Sequence, residues 1–140
     1  MADKNTAAHR FIDALPHARA LGMHVETMRD GEVSLSMPYA DHLVGDPRTG
    51  VVHGGAVSAL MDTCCGAAVM THPKNTGSTA TIDLRIEYLR AATPGQTIIA
   101  KASCYHVTRS VAFVRATAMD ADEDNPVAMA TGTFTVEGKA

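Results

Sequence analysis

The chain has no tryptophan, and only 4% of its 140 residues are aromatic. It therefore offers no obvious stacking slot for an aryl ligand. Its three cysteines, Cys64, Cys65 and Cys104, form an odd set with two adjacent, which is poor material for a disulfide framework and suits a reducing cytosol. Neighbours on a helix project about 100° apart, so Cys64 and Cys65 are expected to fill core space rather than bond or share a metal. The seven histidines are scattered. With no H-x-x-x-H and no Cys/His cluster at ligand spacing, no metal and no cofactor are expected. No charge-free apolar stretch reaches the roughly 18 residues of a membrane span. The opening MADKNTAAHR carries two basic residues but no apolar run behind them, so no secretory signal and a cytoplasmic location are expected. Basic clusters are also missing: net charge is -3 and the pI is near 6.1, which argues against nucleic acid or an anionic membrane as partner. What is present is 46% hydrophobic sequence without repeats or low-complexity tracts. One domain over residues 1–140 is expected, long enough to bury a proper core.

Residues 6–20 (TAAHRFIDALPHARA) have the spacing of a short amphipathic helix, interrupted near Pro16. The pieces MHVETMR and EVSLSMP flank Asp30-Gly31, a strong hairpin signal. Residues 38–52, rich in Gly, Pro and Asp, read as a loop. A helix is then predicted from Gly54 and Gly55 to Thr71, stopped by Pro73. Its apolar residues point in almost every direction, the mark of a wrapped helix. In ATIDLRIEYL the even positions Ala80 to Tyr88 are apolar and Thr81, Asp83, Arg85 and Glu87 alternate with them, which predicts a strand with one face on a core. QTIIAKASCYHV, SVAFVRATAMD and VAMATGTFTV give further strands. The fold class is therefore α+β: an antiparallel sheet curled around one long central helix.

Inside that helix stands one carboxylate, Asp62. A charge among apolar residues is costly unless paired, and such groups gather at functional sites. Two readings are open from the residues alone: a catalytic acid, or an acid bonded to a nearby hydroxyl such as Ser58. The first N–H groups of the helix lack intrahelical partners and carry the positive end of its dipole, so they suit a developing anion. His53 and Asp62 are nine residues apart, on nearly opposite sides of the helix and about 13 Å apart along its axis. One chain's pair cannot grip a single carbonyl. A two-fold dimer can.

The stretches GVVHGGAVSALMDTCCG, STATIDLRIEYLRAATPG and RSVAFVRATAMD resemble the hot-dog-fold thioesterases of the phenylacetate-pathway (PaaI) type, over roughly residues 20–137. The resemblance implies hydrolysis of acyl-coenzyme A thioesters by homodimers or homotetramers, without metal, at sites shared between subunits. It implies that Asp62 acts as general base or nucleophile, that the Gly54 N–H polarises the carbonyl, and that His53 orients that loop. Thr81 aligns with a water-positioning Ser or Thr. Gly55 allows close approach of substrate, and Arg90 and Arg109 match positions near the coenzyme A phosphates, for which a guanidinium fork is suited. One departure is plain: relatives carry Asn or Gln six residues before the His as a second oxyanion donor, and this chain has Pro47, with Asp46 and Arg48 beside it. That departure keeps open an alternative, a non-catalytic acyl-CoA-binding module on the same fold, against which the retained Asp62 counts. A hot-dog hydratase would need an Asp followed by His five residues on, and none occurs.

Overall fold

The computed structural model of the chain describes residues 4–137; the ends of the expected single domain, residues 1–3 and 138–140, lie outside them. The N-terminal segment forms two helices, α1 (Lys4–Ala14) and α2 (Pro16–Ala20). The break is where Pro16 predicts it: proline opens α2, a position where its missing N–H costs nothing. Strands β1 (His24–Arg29) and β2 (Glu32–Met37) follow. Asp30 and Gly31 between them have φ of 37° and 88°, the double positive that the primed hairpin turn requires.

Residues 38–52 differ from the expected loop. They hold a 3-10 turn (Asp41–Leu43) and a small ribbon of β3 (Val44–Asp46) with β4 (Val51–Val52). The Asp46 carbonyl accepts from the N–H groups of Thr49 (3.2 Å) and Gly50 (2.8 Å), so the turn brings two very short segments into register. Pairing of this kind leaves no periodicity to read.

The long helix α3 runs Gly54–Thr71, as predicted. Strands β5 (Thr81–Tyr88), β6 (Ile98–Val107), β7 (Val111–Met119) and β8 (Ala128–Thr135) complete a six-stranded antiparallel sheet ordered β1-β2-β6-β7-β8-β5. Helix α3 contacts all six strands. Leu60, Met61, Cys64, Cys65, Ala68 and Val69 are completely buried between it and the sheet, the larger of them each contributing about 1.5–3 kcal/mol by leaving water. The turn of the first hairpin is tied to the far end of α3, where the Gly31 N–H donates to Thr71 Oγ1 at 3.1 Å. This is the hot-dog architecture that the resemblance implied. Among the described residues no helix is long and apolar enough to cross a membrane.

Strand β5 departs from its reading in one respect. The alternation put Thr81 on the face opposite Leu84, Ile86 and Tyr88. In the structure the register with β8 slips between Thr81, paired with Phe134, and Asp83, paired with Thr133. Ile82 is the extra residue of a β-bulge, 56% exposed, and the bulge re-aims Thr81 onto the helix side with the buried Phe134. Gly132 makes room for it: a Cβ there would lie 2.8 Å from the Asp83 carbonyl oxygen. β5 is also an edge strand, so its helix-facing residues are only half covered.

Candidate active site

Asp62 sits on the middle of α3, half-buried rather than sealed in the core. The Thr81 hydroxyl donates to its Oδ1 at 2.7 Å, so the bulge brings together two of the residues expected to act. Ser58, the other candidate partner, is engaged elsewhere: its hydroxyl lies 3.0 Å from the Gly54 carbonyl oxygen and 2.6 Å from the Tyr88 hydroxyl. Tyr88 also reaches the same carbonyl at 2.9 Å. Ser58 and Tyr88 thus buttress the first turn of α3, a role the sequence reading missed. The signal was there in part, since Ser58 lies four residues after Gly54 and Tyr88 falls on the helix face of β5.

His53 caps α3, with φ -59° and ψ 134°. Its Nδ1 accepts the Gly55 N–H at 2.8 Å, which places the proton of the neutral ring on Nε2. Its own N–H donates to the Leu43 carbonyl at 2.7 Å, anchoring the cap to the 3-10 turn. Of the two glycines expected to face substrate, Gly55 has therefore given its donor to His53. The exposed Gly54 has no acceptor for its N–H among the described residues. Helix geometry directs that N–H out past the N-terminus of α3, away from Asp62.

The chain does not gather all of these residues in one place. Gly54 and Tyr88 border a cavity of about 280 Å³ with Val51, Leu89 and Ala91. Asp62 and Thr81 border another of about 200 Å³, walled by α1. A third cavity of about 300 Å³ on the other face of the sheet, where the Arg115 guanidinium stacks 4.1 Å above the Tyr105 ring, holds none of the expected residues.

Six residues before His53, Pro47 carries no hydrogen-bond donor. Pro47 is exposed at the tip of the β3–β4 turn. Arg48 turns outward, its N–H and Nε donating to Asp46 Oδ1 at 3.0 and 3.2 Å. Arg90, expected near the coenzyme A phosphates, is engaged within the fold. Its Nε and Nη2 donate to the Asn125 carbonyl, Nη1 donates to the Ala91 carbonyl, and Nη1 and Nη2 together grip Asp120 at 2.8 and 2.7 Å. All five N–H donors of the guanidinium are spent inside the fold. That grip, with N–H groups from Thr93 and Asp122, holds the buried Asp120 carboxyl well below the usual carboxylate range. Arg109 is exposed at the β6–β7 turn, Thr108–Ser110. Burial pushes the Cys64 thiol up to about 12 and the Cys104 thiol up to about 11. Among the described residues no group of three His, Cys, Asp or Glu is arranged to hold a metal ion.

One long helix gripped by an antiparallel sheet, with a lone half-buried acid and a capped, glycine-bearing N-terminus, defines a hot-dog protein with a candidate hydrolytic site. Residues 49–127, more than half of the chain, match the family model of the thioesterase superfamily. The chain is 39% identical over 124 residues to a putative esterase of Halobacterium salinarum, covering 83% of this chain and 81% of that protein. It is 27% identical over 139 residues to the medium/long-chain acyl-CoA thioesterase YigI of Escherichia coli, covering 90% and 88%. A solved variant of the phenylacetic acid degradation protein PaaI from Thermus thermophilus superposes with a TM-score of 0.76 at 27% identity, covering 87% of this chain and 99% of that one. The chain belongs to the thioesterase superfamily, and it is a thioester hydrolase of the PaaI type.

Proposed function

We propose that the protein hydrolyses acyl-coenzyme A thioesters at a site built by two copies of the chain, Asp62 from one and Gly54 from the other. The observation that carries this reading is the Asp62–Thr81 pair. A carboxylate on an otherwise apolar helix has one oxygen held by a strand hydroxyl, leaving the other to address a water beside an apolar cavity. In the reaction, the water oxygen attacks the thioester carbonyl carbon while Asp62 takes its proton. The oxyanion forms at the N–H of Gly54 from the other copy, at the positive end of α3. The C–S bond then breaks, and the departing thiolate recovers the proton from Asp62. In the nucleophilic variant, Asp62 attacks first and water opens the resulting anhydride. Thr81 orients the carboxylate, His53 and Tyr88 fix the turn that carries Gly54, and Arg109 faces solvent where a coenzyme A phosphate can reach it. The chemistry as written draws on no metal and no cofactor. The names of the relatives support an acyl-CoA substrate, and the exposed edge of β5 supports a homodimer.

The test is thiol release from acetyl-, hexanoyl-, lauroyl-, phenylacetyl- and hydroxybenzoyl-CoA by the wild type and Asp62→Asn. Asn keeps the acceptor oxygen for Thr81 but not the base. The reading expects kcat to fall about 10²- to 10⁴-fold with substrate still bound, and full turnover by the variant would sink it. After a single turnover in ¹⁸O-water, label in the Asp62 carboxylate identifies the nucleophilic route, because the base route leaves both carboxylate oxygens in place.

A further inference from the structure

Three features around Asp62 are unexplained by folding or by the steps above. Helix α1 packs against α3 through Ile12, which is 2% exposed, yet its neighbour Phe11 leaves 47% of its surface open. Phe11 and Leu15 form one wall of the cavity that opens at the Asp62 carboxylate. Gly66, one helical turn beyond Asp62, forms part of the opposite wall. A Cβ at Gly66 would meet Phe134 and Thr79 only at ordinary contact distances, 3.7 and 4.0 Å, so the missing side chain leaves open volume rather than relieving a clash. Met70, an adaptable apolar side chain, also lines the cavity. Apart from Asp62 the lining carries no charge, and its only other side-chain polar atoms are threonine hydroxyls.

We propose that this cavity receives the acyl chain, and that α1 and the bare Gly66 set how long an apolar chain it admits; this rests on the thioesterase reading. The limit follows from the walls: Phe11 and Leu15 of the α1 segment stand on one side of the cavity and the bare Gly66 on the other. The position follows from Asp62: an acyl group seated between α1 and α3 has its carbonyl end at the mouth, beside the carboxylate. Binding to the cavity is hydrophobic, so each methylene that enters multiplies kcat/KM by about fourfold, and the gain stops when the cavity is full.

The experiment measures kcat/KM for straight-chain butyryl- to palmitoyl-CoA with the wild type, Gly66→Leu and Phe11→Ala. Leucine keeps the helix favourable and projects into the cavity, so the octanoyl-to-butyryl ratio falls by about tenfold or more. Removing the Phe11 ring opens the wall and moves the optimum to longer chains. The ratio within one preparation cancels any loss of folded enzyme, and the half-exposed Phe11 is cheap to replace should Gly66→Leu fold poorly. An unchanged length profile in both variants, with the wild type active and Asp62→Asn dead, overturns the pocket and leaves the thioesterase reading standing. No turnover of any acyl-CoA by the wild type overturns that reading itself.

Discussion

The substitution Gly54→Pro isolates one hydrogen-bond donor with little else disturbed. Gly54 is the first residue of α3, the helical position where proline is most at home. The residue before a proline is driven to extended backbone, and His53 already lies at ψ 134°. The cap bond from the Gly55 N–H to His53 is untouched, and a Cβ at position 54 meets Tyr88 at 3.6 Å, an ordinary contact. Stability should hold or rise by about 0.4–1 kcal/mol, because proline restricts the unfolded chain. What disappears is the N–H proposed to bind the oxyanion. Loss of one such donor costs about 10²- to 10³-fold in kcat, or about 2.7–4 kcal/mol of barrier. Gly54→Ala keeps the N–H and is the control, with a far smaller loss. The assay is thiol release alongside a melting curve, and a folded Gly54→Pro protein with wild-type kcat would refute the role of this donor.

The same variant tests whether the site is shared. Asp62→Asn and Gly54→Pro are each inactive alone, but a mixed dimer keeps one site with both an intact Gly54 and an intact Asp62. Random pairing on co-expression makes half the dimers mixed, so about a quarter of wild-type activity returns if each site draws on both chains. If the two residues act from the same chain, every site in a mixed dimer is damaged and nothing returns beyond the residual rates of the parents.

Thr81→Val removes the hydroxyl held by Asp62 and lowers kcat about tenfold, the low end of what a hydrogen bond to a charged group is worth, while Thr81→Ser retains most activity; equal rates for both would leave Thr81 without a role. Asp120 is held below the ordinary carboxylate range chiefly by Arg90, so its contribution to stability is whole above about pH 4 and is lost as the pH falls from there toward the lower folded-state value. Denaturant titrations from pH 6 to 2 should therefore show a steeper acid loss for the wild type than for Asp120→Asn, and matching slopes would count against the clamp. The three cysteines are buried and their thiols are raised by desolvation, so a disulfide reagent at pH 8 should label none in the native protein and all three in denaturant. Arg109→Gln should raise KM for acyl-CoA severalfold at low salt with kcat little changed, a difference that fades as salt screens the phosphates.

The wrapped helix and the long strands were legible because their signals are local and strong. An all-round apolar run bounded by Gly54 and Pro73 has few other fates, and Asp30-Gly31 leaves the hairpin little freedom. Asp62 was legible for a related reason, as the one residue that breaks the helix's own pattern. Features that depend on pairing between distant segments were hidden. The bulge at Ile82 arises from register with β8, so strict alternation along β5 put Thr81 on the wrong face. Arg90 looked like a free cation because its partners Asp120 and Asn125 are about thirty residues away, and only the folded turn brings them around it. The β3–β4 ribbon is two short segments held by one tight turn, too brief for any period to show.

The geometry of β5 supports the proposed division of the site between two chains. Productive chemistry needs base, donor and reacting atoms within about 3–3.5 Å of one another. Gly54 and Asp62 are eight residues apart on one helix, about 12 Å along its axis, with the Gly54 N–H directed away. No side-chain motion closes that gap within a chain. Yet β5 is tied to both ends of the stretch: Thr81 holds Asp62 and Tyr88 holds Gly54. Among the described residues β5 is also an unpaired sheet edge, with Ile82, Tyr88 and, just past its end, Leu89 half exposed or more, the kind of surface that recruits another strand. In the proposed dimer, antiparallel pairing of two β5 edges about a two-fold axis would set the Thr81 end of one against the Tyr88 end of the other. The helices would follow their strands and bring Asp62 of each chain toward the other's Gly54, twice per dimer. One such contact would both cover the open edge and unite the residues that a single chain holds apart.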